Sequence, residues 1–172
     1  EMDGQPPLDL LQKVYEGLDG NDQSLVQTSL FLGIEMDPLK DNPQQGDFLI
    51  RNIMGADRES GGVQVGAMLR EGQLVQFHLR DKDMSSEDLR LVLNRYKAKE
   101  HSKKAAGALL FSCLGRGQYL YGKPNHDSDM FRDQLGDIPL GGFFCNGEIG
   151  PVGKTTFLHG YTSSFGIFHP TH

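Results

Sequence analysis

The sequence predicts an α+β fold, a largely antiparallel β-sheet with helices packed on it. Three observations carry this. Strand-like runs outnumber helical ones, short glycine-bearing turns separate several of them, and one long amphipathic helix stands between a meander and a buried strand.

Pro6-Pro7 followed by LDLLQKVYEGL reads as a helix with proline in its first turn. Leu8, Leu11, Tyr15 and Leu18 supply its apolar face. A second short helix is expected over Asp22 to Thr28. LFLGIEM then reads as a strand, and DPLKDNPQQGD as a loop of turn residues. DFLIRNIMGAD, GGVQVGAML and QLVQFHLRD read as antiparallel strands separated by ESGG and REGQ. In the last of these, Leu74, Gln76 and His78 share one face.

SSEDLRLVLNRYKAKEHSKKA is the strongest helix, with a Ser85/Asp88 capping box and a stripe of Leu89, Val92, Leu93 and Tyr96. ALLFSC reads as a buried strand. DSDMFRDQLG suits a short helix capped by Asp127 or Ser128. PLGGFFCNGEIG reads as a strand running into a loop, and TTFLHGYTSSFGIF as one or two closing strands. No repeat or long linker interrupts the chain, so residues 1–172 are expected to form a single domain, one piece of a longer protein.

A formal net charge of -6 argues against a nucleic-acid surface. The densest basic patch, Lys97, Lys99, Lys103 and Lys104, is interleaved with Glu100 and His101 and reads as a solvated helix end. No run approaches the roughly 18 apolar residues of a membrane span. Cys113 and Cys145 make no disulfide framework. They read as reduced thiols in an intracellular compartment, with one bridge between them still open.

Chemistry is expected where loops leave strand ends, at SCLGRG, GGFFCNGEIGP and FLHGYTSS. Arg116, between Gly115 and Gly117, would present a fork to a carboxylate or phosphate, or pair with a surface acid. Glu148 would bind an amine or brace Arg116, and the two together would suit a zwitterion such as an amino acid. The candidate ligand-binding set is Cys113, Arg116, Gly117, Asn146, Gly147 and Glu148. Thiol catalysis would need His159 as base and Asn146 or Glu148 as orienter, and a Cys ending an apolar strand is more often a small buried hydrophobe. The histidines show no metal-ligand spacing. His78 or His159 would be the axial candidate for a haem. GEIGPVGKT satisfies the phosphate-loop pattern, but the next residues, TFLHGYTSSFGIF, are β-rich and do not form the helix whose N-terminus cradles phosphate, so the stretch reads as a glycine-rich hairpin. No cofactor, metal or catalytic set is expected.

FSCLGRG (111–117), a short helix, PLGGFFCNGEIGP (139–151) and the closing TTFLHGYTSS together resemble the FIST C-terminal domain of F-box and intracellular signal-transduction proteins. The family pattern pairs a similar FSC-GRG with GF-GEIGP. Weaker similarity runs through the N-terminal helix, FLIRNIMGAD and the helix after HLRDKD. The resemblance implies an intracellular sensory module for a small polar ligand, or an interaction part of an assembly such as a ubiquitin-ligase substrate receptor. It implies an upstream FIST N-terminal domain or a partner protein. It carries over no catalytic set. Some bacterial members are described as haem-containing nitric-oxide sensors, and no family haem ligand maps onto a histidine here. The positions it marks are Cys113, Arg116, Gly117, Gly147, Glu148 and Gly150.

Overall fold

A computed structural model describes residues 1–99, 105–152 and 154–170. Among them are five helices and nine strands, gathered into two compact units, Glu1–Asp81 and Lys82–His172. The α+β expectation holds: all strand pairs but one are antiparallel.

The first unit begins with α1 (Pro7–Gly17) and α2 (Gly20–Ser29), then β1 (Leu30–Glu35), β2 (Phe48–Asp57), β3 (Gly62–Val65) and β4 (Val75–Leu79). Asp19 caps α2, accepting from the Asp22 amide at 2.9 Å. The strands order β3-β2-β1-β4. β1 is central because its Phe31–Ile34 run is buried, and a strand of that kind needs a partner on each edge. One consequence differs from the expected meander. REGQ closes no hairpin: the chain crosses the sheet, and β4 pairs with β1, Phe77 opposite Leu32 and Val75 opposite Ile34. ESGG does close β2 onto β3. Gly61 there has φ +68°, and a Cβ on it would lie 2.6 Å from Pro6, so the turn needs glycine for both conformation and space. His78 lies over Gly33, with its buried Nε2 unpartnered among the described residues. Burial lowers its pKa.

The second unit holds α3 (Lys82–Lys97), β5 (Gly107–Cys113), α4 (Gln118–Tyr121), α5 (His126–Leu135), β6 (Leu140–Cys145), β7 (Glu148–Val152), β8 (Thr155–His159) and β9 (Ser163–Phe168). β5 is central, parallel to β6 and antiparallel to β9. A parallel pair requires a crossover, and α4 and α5 provide it. One sheet face carries Ala108, Leu140, Phe165 and Ile167, packed with Leu89, Leu93 and Phe131. Phe131 stacks on Phe165 with ring centroids 5.3 Å apart.

Several local expectations change. α3 starts at Lys82, so Ser85 and Asp88 lie inside it and form no capping box. Val92 is exposed, and the buried stripe of α3 is Leu89 and Leu93. α5 begins after Asn125, held at φ 60°, which leaves Asp127 free to point inward from the first turn. Glu148 opens a strand instead of sitting in a loop. The phosphate-loop look-alike is the β7–β8 hairpin, with Val152 opposite Thr155, and among the described residues β8 and then β9 follow where a phosphate loop would need a helix. The expected extension of the long helix through residues 100–104, with Lys103 and Lys104 of the basic patch, lies outside the described residues. No helix of the described residues is long and apolar enough to cross a membrane.

Candidate functional site

Two buried polar clusters lie at the carboxyl ends of β5 and β6. The first is built on Arg116. β5 ends at Cys113, and the Arg116 amide turns back to the Cys113 carbonyl at 2.9 Å. Gly117 comes next at φ +67°, and a Cβ on it would lie 3.0 Å from the Phe144 ring. This tight turn folds the arginine inward instead of displaying it. Its Nε donates to Asp127 Oδ2 at 2.8 Å and its Nη2 to Asp127 Oδ1 at 3.0 Å, a bidentate pair. Nη2 also donates to the Tyr121 hydroxyl, and Nη1 to the Tyr161 carbonyl at 3.3 Å.

Asp127 is the hub. Besides Arg116 it accepts from Ser112 Oγ at 3.2 Å, from Ser163 Oγ and from His126 Nδ1 at 2.9 Å. Burial alone would raise its pKa. The Arg116 guanidinium, with the Ser163 and His126 donors, more than offsets this and holds the carboxyl at about 2. An ionised Asp127 can only accept, so His126 Nδ1 carries a proton. In the neutral ring Nε2 then accepts from Ser86 Oγ at 2.9 Å. Tyr121 covers the imidazole, stacked at 3.4 Å and 9°. Asp127, His126 and Ser86 thus stand in the order of a hydrolase relay. Ser86, however, lies inside α3, beyond the four backbone N–H groups that a helix start leaves unpaired for an oxyanion. Asp127 also serves four other donor groups. The arrangement ties α3, α5, β5 and β9 together.

The second cluster is built on Glu148, which is only 3% exposed. Its Oε2 accepts from Thr162 Oγ1 at 2.7 Å and its Oε1 from Cys145 Sγ at 3.3 Å. Among the described residues no basic side chain pairs with it. The expected Arg116–Glu148 pair is therefore not formed: Arg116 is engaged by Asp127, a nearer acid on the crossover helix. Burial, then the hydrogen bond and charge of Glu148, push the Cys145 thiol above its ordinary pKa.

The other sequence candidates fall around these clusters. Cys113 is buried and Cys145 half-buried, both as free thiols. Asn146 is exposed at the bend between β6 and β7. Gly147 is packed, a Cβ there meeting the His159 carbonyl at 3.2 Å. His159 bonds the Gly150 carbonyl at 3.2 Å, not a cysteine, so the Cys–His set is not assembled. No cluster of three or more His, Cys, Asp or Glu among the described residues is arranged to hold a metal ion.

Sequence reasoning missed Asp127, His126, Ser86, Tyr121, Thr162 and Ser163 as partners. A signal for Asp127 was present. It lies four residues before Phe131, so an acid shares the apolar face of a helix, and a buried acid requires a cation.

A family model described as the FIST C domain matches residues 7–151. An uncharacterized protein of Mycobacterium bovis is 42% identical over 168 residues, covering 98% of this chain and 43% of that protein. An F-box/LRR-repeat protein of Arabidopsis thaliana is 26% identical over 183 residues, covering 95% of this chain and 34% of that protein. Human F-box only protein 22 is 32% identical over 108 residues, covering 53% of this chain and 27% of that protein. The chain thus spans less than half the length of these relatives. The matched region takes in FSCLGRG and CNGEIGP, and with them both clusters' central residues, so the chain belongs to the FIST C domain family.

Proposed function

We propose that the chain is a non-catalytic interaction module of an intracellular signal-transduction assembly, engaging another protein through the open face of the β6-β5-β9 sheet. The observation that carries this is the face opposite α3 and α5. Leu109, Phe143 and Phe168 project there at 39%, 63% and 55% exposure. The strand register puts them beside Phe111 and the small residues Gly141 and Gly166, while Gly150 of β7 packs near Ser164 at the far end of the same face. No charge interrupts these positions, and a contiguous apolar surface of this kind marks interaction sites. Two relatives are F-box proteins by name, which favours an adaptor or substrate-receptor setting. The free thiols suit a reducing compartment. Consumption of Arg116 by Asp127 supports a structural part for the FSCLGRG loop.

The test is a photo-crosslinker placed at position 109 of the full chain in its native cells. Phe143→Glu, at an exposed position, should leave the far-UV circular dichroism unchanged and remove the crosslinked partner. An unchanged crosslinking pattern with intact folding would refute the assignment of this face.

Glu148 favours a second reading, a site for a small polar ligand bearing an amine, such as an amino acid. The carboxylate of Glu148, a residue only 3% exposed, has one hydroxyl and one thiol donor and no cation among the described residues, so it lacks a counter-ion there. An amine would supply it. A thermal-shift screen against amino acids and simple amines checks this. A ligand at about 100 times its Kd should stabilise the protein by about 2.7 kcal/mol, and Glu148→Gln should abolish the shift. Silence across the screen would eliminate this reading and leave the protein-interaction reading standing.

A further inference from the structure

Cys113 and Cys145 are the last residues of two adjacent parallel strands and lie opposite one another in the register. In-register neighbours project from the same face, and adjacent strands run about 4.8 Å apart. That separation lies inside the roughly 4.4–6.8 Å range of Cα distances that a disulfide spans. The Cys145 side chain leans toward β5, its Sγ 3.6 Å from the carbonyl oxygen of Ser112, the residue before Cys113. Cys113 is also among the groups near enough to act electrostatically on the Cys145 thiol. Both thiols are free, and Cys145 is the more accessible of the two.

We propose that Cys113 and Cys145 form a reversible cross-strand disulfide, a redox modification site oxidised by a small disulfide such as oxidised glutathione. The Cys145 thiolate attacks one sulfur of the oxidant, forming a mixed disulfide and releasing one glutathione thiolate. The Cys113 thiolate then attacks the Cys145 sulfur, closing the bridge and releasing the second glutathione. The two protein thiols lose two electrons and the oxidant gains them. The two thiol protons finish on the two released glutathiones.

Closure has a structural consequence. Oxidised Cys145 has no S–H to donate to Glu148, so among the described residues this buried carboxylate keeps only the Thr162 hydroxyl as a side-chain donor. Oxidation therefore acts directly on the CNGE bend. The same contact works in reverse on the rate. Burial, reinforced by the hydrogen bond and charge of Glu148, disfavours the Cys145 thiolate, so exchange is slow near neutrality and quickens as pH rises.

The test incubates the full chain with oxidised glutathione at pH 7 and pH 8.5, traps free thiols with an alkylating agent, and maps the peptides by mass spectrometry. The expected product is a monomer with Cys113 joined to Cys145, two hydrogens lighter, reversed by dithiothreitol, and formed several-fold faster at the higher pH. Glu148→Gln should speed formation at pH 7, and an unchanged rate would overturn the coupling to that carboxylate. A glutathione adduct persisting on Cys145 without closure, bridges only between copies, or two alkylated cysteines in the folded chain would each overturn the proposal. Because the readout is a covalent bond within one chain, it is independent of any partner or amine ligand.

Discussion

Arg116→Ala is expected to destabilise the second unit by about 3–5 kcal/mol, the scale found when one partner of a buried ion pair is removed. The cause is the group left behind. Asp127 is buried, and without the guanidinium its carboxylate keeps only hydroxyl and imidazole donors. Replacing Arg116 and Asp127 together by apolar residues of similar size should cost much less than the single change, because no charge is stranded.

The pH profile gives a second, signed readout. In the native chain the Asp127 pKa is lowered from 3.8 to about 2. A group whose folded pKa is depressed contributes stability above its unfolded pKa and loses it as pH falls through the folded value. Here that is about 2 kcal/mol, present above about pH 4 and gone near pH 2. In Arg116→Ala burial dominates, the Asp127 pKa rises, and the profile inverts: acidification toward pH 4 should stabilise the variant relative to its value at pH 7. Hydrogen exchange at the β5 and β9 amides reads the second unit by itself. A variant with unchanged exchange and an unaltered profile would show that the pair contributes nothing net.

Gly142→Ala is expected to cost about 3 kcal/mol or more, at or above the upper end of ordinary overpacking. A Cβ at this position would lie 1.9 Å from the Leu110 carbonyl oxygen, 2.8 Å from its carbon and 3.0 Å from its nitrogen. These are backbone atoms of the central strand, so no rotamer change relieves the overlap. Either β6 moves away from β5 or the pairing is lost. Loss of amide protection along β5 and β6 would report this, while the helices of the first unit should keep their exchange rates. Full protection across β5–β6 in the variant would show that the strands tolerate a wider approach.

Much of the fold was legible in the residues. Pro7 at the start of α1, the spacing of Leu89 and Leu93, and the uncharged runs of β1 and β5 each encode their element through local sterics and solvent exclusion, without reference to distant residues. The two glycine loops were likewise visible as strand exits. Pairing was not legible. REGQ looks like a hairpin turn, yet β4 joins β1 because a strand buried on both sides must be hydrogen-bonded on both edges. Start signals misled at α3 and α5, where Ser85 and Asp127 have capping chemistry but tertiary position placed them inside the helix.

By itself the sequence determined the α+β class, the family, and the loops where polar residues leave the sheet, because these depend on periodicity and on local motif chemistry. Only the tertiary structure decided which acid Arg116 meets. A charged side chain drawn into a core takes whichever counter-charge the packing brings within hydrogen-bond reach, and the crossover through α5 brings Asp127, eleven residues on, while Glu148 is left to Thr162 and Cys145. It likewise decided that Cys113 and Cys145 stand side by side, since a parallel register depends on the length and packing of the helices between two strands and is written at neither cysteine.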